Sequence, residues 1–193
     1  MCKITCSIKR YTPSENLTFY HAVRCAKFTS REDINIGKLK EIAESSQDGD
    51  WANSMYLAYK KEVAEGYIVP WEENNMVFDD EYYLIELRLR SDLNYVECSD
   101  DRFGNGTEEN IMVSEADWEF ITGKLGKNTK SLSFMNYLGE KGYAFECYHD
   151  LDQAPNYNKE LIVPSQLVTD KHFSIDCIHY YKVKRDGNKE ESI

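Results

Sequence analysis

The chain has no Cys-x-x-Cys pair, no apolar run approaching the length of a membrane span, and a shortage of positive charge. Each absence excludes something. Without paired cysteine spacing there is no zinc finger or ribbon. Six scattered cysteines (Cys2, Cys6, Cys25, Cys98, Cys147, Cys177) are too few for a disulfide scaffold, so reduced and mostly buried thiols are expected. No local signature marks a nucleophilic cysteine, although His21, His149, His172 and His179 are available as bases. The N-terminal stretch MCKITCSIKR lacks the apolar segment of a secretory leader. A cytoplasmic protein with no membrane association is therefore expected, or one delivered into a target cell without a cleaved signal peptide. Twenty-three Lys and Arg face 34 Asp and Glu, a net charge of −11 and a pI near 4.9. Such a chain repels phosphate backbones unless its basic groups cluster. The short runs at Lys124, Lys127, Lys130 and at Lys182, Lys184, Arg185 read as solvated surface.

What is present is enough for a core: 41% hydrophobic residues, 13% of the chain aromatic, and no repeat or low-complexity segment. At 193 residues the length suits one compact domain. Period-two alternation predicts strands near 3–11 and 17–23, then over 82–90, 143–148, 160–163 and 174–183. Helical spacing covers 37–45, where Leu39, Ile42 and Ala43 share a side, and 60–66 with Val63 and Ala64 inward. A capping box at Ser114–Asp117 opens a further helix carrying Trp118, Ile121 and Leu125, and another short helix is expected over 131–138. Residues 70–81 read as an acidic loop, and residues 185–193 as a frayed tail behind a single domain spanning 1–184. Strands, then helices, then more strands with few βαβ units give an α+β class with split sheets.

The most informative stretch is SMYLAYKKEVAEGY, residues 54–67. A short apolar strand runs straight into a helix that ends at Gly66. This arrangement can turn Tyr56 and Tyr67, eleven residues apart, toward one cleft. Two aromatic rings can grip a flat heteroaromatic ring by offset stacking. Upstream lies a strand carrying Tyr20-His21-Ala22-Val23; far downstream, Glu160 opens the apolar run Leu161-Ile162-Val163.

Taken in order, these pieces resemble the ADP-ribosyltransferase family of the His-Tyr-Glu type, the diphtheria-toxin-like toxins and poly(ADP-ribose) polymerases. The family shows Tyr-His-Gly-Thr on its first core strand, an aromatic-Tyr strand, a helix ending in Gly-Tyr, and a catalytic Glu opening a late strand. The likeness spans roughly 17–90 and 156–183. Ala22 and Val23 stand where the family has Gly and Thr. The backbone of that Gly holds the nicotinamide amide, and Ala supplies the same groups where φ is negative.

The resemblance implies split antiparallel β-sheets with flanking short helices around an NAD cleft. It also implies a mono-ADP-ribosyltransferase of the toxin or effector kind, with NAD as co-substrate and no metal. Glu160 would bond the ribose 2′-hydroxyl and offset charge on the sugar. His21 would donate to a ribose hydroxyl, and Tyr56 and Tyr67 would stack on nicotinamide. Ala22 would hold the amide, and Arg24 lies within reach of the pyrophosphate or forms a surface ion pair instead. Asn158, two before the glutamate, stands where arginine-modifying members carry Glu or Gln. This argues against arginine and for another macromolecular acceptor, a protein before a nucleic acid, with a neutralising partner or inhibitor if the enzyme is toxic. Three other readings remain: an NAD glycohydrolase on the same fold, an ADP-ribose-binding fold without turnover, and an acidic, non-enzymatic interaction or inhibitor protein that mimics nucleic acid.

Overall fold

Alternating apolar and polar positions make strand the commonest regular structure among the described residues. The computed structural model describes residues 6–46, 53–98, 131–149 and 158–192, and it is α+β. The first half contains β1 (Cys6–Tyr11), β2 (Thr18–Arg24), α1 (Ile36–Ser45), β3 (Ser54–Ala58) and α2 (Lys61–Glu65). A small hairpin of β4 (Trp71–Glu73) and β5 (Met76–Phe78) follows, then β6 (Asp80–Leu89) and β7 (Leu93–Cys98). The remainder holds α3 (Ser131–Lys141), β8 (Tyr143–His149), β9 (Asn158–Pro164), β10 (Phe173–Val183) and β11 (Lys189–Ser192).

Nine strands share one sheet in the order β1-β7-β8-β9-β3-β2-β6-β10-β11, and β4 and β5 pair only with each other. Every neighbouring pair in the large sheet is antiparallel except β7 with β8. Its continuity fails at one point. Strand β2 follows β6 from Thr18 to Arg24, and β3 follows β9 from Ser54 to Ala58, yet β2 and β3 meet only at Tyr20↔Ala58. Two ladders therefore diverge from a single shared register pair. Past it, His21 to Arg24 run along an edge of β2 that has no strand pairing with β3.

The two faces of the sheet are covered differently. On one, α1 begins at Asn35, whose side chain accepts a hydrogen bond from the Lys38 N–H at 2.9 Å, and it buries Ile36, Leu39 and Ala43. These residues pack on Phe19, Met55, Leu57, Ile85, Leu87 and Phe173. On the other, α2 sets Ala64 and the following Ile68 against Ala58, Leu84, Tyr181 and Val183.

A buried carboxylate ties together the part of the sheet that runs from β1 to β3. Glu146 on β8, 1% exposed, accepts from the hydroxyls of Tyr11 at 2.8 Å and Tyr59 at 2.6 Å. Burial pushes both phenols well above their usual range, so they stay protonated donors. Tyr59→Phe removes one donor from a buried charge, and a loss of about 1.5–3 kcal/mol is expected. Urea denaturation checks this: an unchanged midpoint contradicts the assignment.

Three regions depart from the sequence-based expectation. The tail expected to fray turns through Gly187, at φ +86°, and pairs with Tyr180–Val183 as β11. The acidic loop over 70–81 contains the β4–β5 hairpin. It reverses at Asn74 and Asn75, with φ of 52° and 62°, the two left-handed residues of a type I′ turn. Strand β7 was not anticipated, because LNYVEC mixes polar and apolar positions beside a Gly- and Asp-rich segment. The helix expected from Ser114 lies outside the described residues. Among the described residues no helix is long and apolar enough to cross a membrane.

Candidate functional site

The divergence of β2 from β3 opens a cleft of about 610 Å³. That volume lies within the range of roughly 300–1,000 Å³ common for small-molecule sites. Registry explains how distant residues reach it. Glu160 is opposite Ala58, and Ala58 is opposite Tyr20, so three strands set these positions in one row. His21 is next along β2, and Tyr56 lies two residues back along β3. Helix α2 then folds over the row and returns Tyr67 to the same opening. His21, Ala22, Arg24, Tyr56, Tyr67 and Glu160 all line the cleft, and α1 supplies a wall through Leu39, Ile42 and Ala43.

Glu160 is the most unusual of these groups. It is a carboxylate 1% exposed at the head of an apolar strand. Tyr67, itself 45% exposed, donates its hydroxyl to Glu160 Oε2 at 2.9 Å. A buried carboxylate with an aromatic hydroxyl on one oxygen, at the wall of a cleft, is held in one orientation rather than solvated.

His21 is fixed through its other side. Its Nδ1–H donates to the Tyr56 carbonyl at 2.9 Å, which leaves Nε2 as the acceptor of a neutral ring. Burial lowers its pKa below the usual histidine range, opposed by the Tyr56 carbonyl and by the nearby Glu160 charge. The imidazole is therefore neutral at pH 7. The sign for stability follows: the unfolded chain binds the proton first, near pH 6.5, so folding weakens as pH falls below that value. Replacing His21 with Gln is expected to flatten the stability profile between about pH 6.5 and 5. Equal slopes in urea titrations of both proteins contradict this placement.

Ala22 avoids the left-handed region, so its backbone meets the condition under which Ala substitutes for Gly. Arg24 lies on the cleft wall but is engaged elsewhere. Its Nε sits 2.7 Å from Asp80 Oδ2, an ion pair without aligned hydrogen-bond geometry. Its guanidinium also stacks over the Trp71 ring, 5.1 Å from the centroid. Asn158 enters β9 opposite His149; its side chain lies outside the described atoms.

The sequence did not single out Ser54, Tyr82 or Lys27, which also line the cleft, and it offered Tyr20 only as part of the Tyr20–Val23 motif, with no role in the site. Ser54 is 3% exposed, and a polar residue opening a buried apolar strand was the available signal for it. Cys25 is not an activated nucleophile: burial pushes its thiol up to about 11, the opposite direction from a reactive thiolate. Among the described residues no group of three or more His, Cys, Asp or Glu is placed to hold a metal ion. Comparison of the chain with known protein families, curated proteins and solved structures finds no match.

Proposed function

We propose that this chain is a mono-ADP-ribosyltransferase that cleaves NAD and transfers ADP-ribose to a protein acceptor. One observation carries the reading: a buried Glu160, tied to Tyr67, shares a cleft with His21 and Tyr56 at the point where the sheet divides. That set resembles, in order, the residues of the His-Tyr-Glu transferases, with Ala22 and Val23 departing from them, and the near-separation of β2 from β3 within one sheet supports the reading.

The chemistry requires little covalent help. The bond between nicotinamide and ribose C1′ breaks, and nicotinamide leaves with the electron pair. Positive charge then spreads over C1′ and the ring oxygen, as in glycoside cleavage. The acceptor supplies the electron pair for the new bond to C1′ and releases its proton to water. Catalysis is therefore positioning and charge stabilisation. Glu160 offsets the sugar's charge and accepts from its 2′-hydroxyl. Tyr67 orients that carboxylate and, with Tyr56, offers an aromatic face to nicotinamide. His21 acts through Nε2 as an acceptor from a ribose hydroxyl, the reverse of the donor role inferred from sequence. Arg24 is occupied by Asp80 and Trp71, so Lys27 on the same wall joins it as a candidate for the diphosphate.

The test is incubation of the purified protein with NAD labelled in its adenylate half, with and without a cell extract. Label covalently attached to extract proteins supports transfer. Nicotinamide release with no attached label indicates the glycohydrolase. Intact NAD leaves the ADP-ribose-binding fold without turnover if NAD still binds, and the acidic interaction protein if it does not.

A further inference from the structure

Beyond the cleft the molecule carries an unusual surface. Val69, Trp71, Met76, Val77 and Phe78 are 38–57% exposed within ten residues of chain. Single exposed hydrophobics are ordinary, whereas a contiguous set marks a contact site. Registry gathers three of these on one face: Trp71 faces Phe78 with ring centroids 5.6 Å apart and Met76, opposite Glu73, lies beside them, while Val77 and Glu72 share the other face. The tight turn at Asn74 and Asn75 holds the pair of strands in one shape.

The hairpin is also fixed to the cleft. Arg24, on the cleft wall, stacks on Trp71 and pairs with Asp80 on the strand that leaves the hairpin. Tyr67, at the cleft mouth, is joined to the exposed stretch through the buried Ile68. The hairpin is therefore anchored beside the opening by the chain itself and by the Arg24–Trp71 contact. The segment's own charge has one sign; the Arg24 guanidinium over Trp71 comes from β2 and is paired with Asp80. Residues 68–87 contain six carboxylates and no Lys or Arg. Asp79, Asp80 and Glu81 are paired with Lys184, Arg24 and Lys182, so the charge offered outward is that of Glu72 and Glu73.

We propose that the β4–β5 hairpin is the docking surface for the acceptor, which is a protein presenting an apolar patch flanked by Lys or Arg. This inference rests on the transferase reading and names the partner of that same cleft. Apolar area supplies contact at the centre and the glutamates select a basic rim. Nucleic acid and anionic lipid are repelled by the same glutamates, and a second copy brings like charge to like.

The experiment uses the full chain, a Met76→Thr/Val77→Thr/Phe78→Thr variant, and a Glu72→Lys/Glu73→Lys variant. All five positions are exposed and outside the cleft lining, and threonine keeps strand propensity. The probe is adenylate-labelled NAD with three pools from one extract: proteins retained by a cation exchanger, proteins retained by an anion exchanger, and total RNA. Nicotinamide release is followed in parallel without any pool, and light scattering gives the mass of each protein. The wild type is expected to label the basic pool, less so as salt rises from about 50 to 300 mM. The threonine variant is expected to lose about tenfold of that labelling and the lysine variant several-fold. Nicotinamide release should stay within about twofold in all three proteins. Variants that label like the wild type overturn the proposal, as does label on the acidic pool, on RNA or on no pool at all. A wild-type dimer that the threonine variant dissolves also overturns it. Nicotinamide release with no label on any pool replaces the transferase reading with the glycohydrolase, and neither release nor label from the wild type overturns that reading; the other outcomes leave it standing.

Discussion

Replacing Glu160 with Gln is expected to slow NAD cleavage by roughly 10²- to 10³-fold, about 2.7–4 kcal/mol of transition-state stabilisation. The substitution keeps the side chain's shape and its ability to accept from Tyr67, whose hydroxyl stands 2.9 Å away. It removes only the charge. A neutral substrate ribose gains little from that charge, whereas an oxocarbenium-like centre gains much, because the group is buried at 1% exposure and poorly screened. The loss should therefore fall on kcat, with KM changed far less. Steady-state nicotinamide release reads both. A variant that raises KM at unchanged kcat assigns Glu160 to binding alone, and a variant as active as the wild type removes it from the chemistry.

The second large effect is on stability. Phe19→Ala is expected to cost about 3–5 kcal/mol, a large share of the roughly 5–15 kcal/mol typical of a domain. Phe19 is fully buried on β2, edge-on to Tyr11 and Phe173 at 6.2 and 6.4 Å between centroids, and 5.5 Å from Tyr59. It lies two residues before His21 and one before the Tyr20↔Ala58 pair that joins the ladders. A cavity there loosens the strand from which the cleft is built. Urea titration should show a lower midpoint with the slope retained, and a thermal midpoint roughly 6–20 °C lower. A loss under about 1 kcal/mol means the site refills by rearrangement, and Phe19 is then not the keystone of the joint.

The strands with clean alternation or apolar runs were legible because burial on one or both faces leaves a mark in the residues themselves. Tyr82–Leu89 and Leu161–Val163 are such cases. So was α1, whose apolar positions recur at helical spacing. The pieces of the candidate site were legible one at a time; their meeting was not. It depends on the registers Glu160↔Ala58 and Ala58↔Tyr20, and on the ladder stopping after a single pair, which no local pattern specifies. The β4–β5 hairpin was hidden for another reason. All of its residues are exposed, so it has no inward face, and its turn uses Asn-Asn in place of the commoner Asn-Gly. Arg24 shows the limit most plainly: its partners Asp80 and Trp71 are 56 and 47 residues away, and only the fold brings them to it.

The central claim is that NAD occupies the cleft where β2 and β3 part. A crystal structure of the slowly reacting Glu160→Gln variant grown with NAD tests it most directly. The account predicts nicotinamide against Tyr56 and Tyr67, with its ribose beside residue 160 and His21. NAD bound elsewhere, or a cleft that stays empty at saturating NAD, contradicts it.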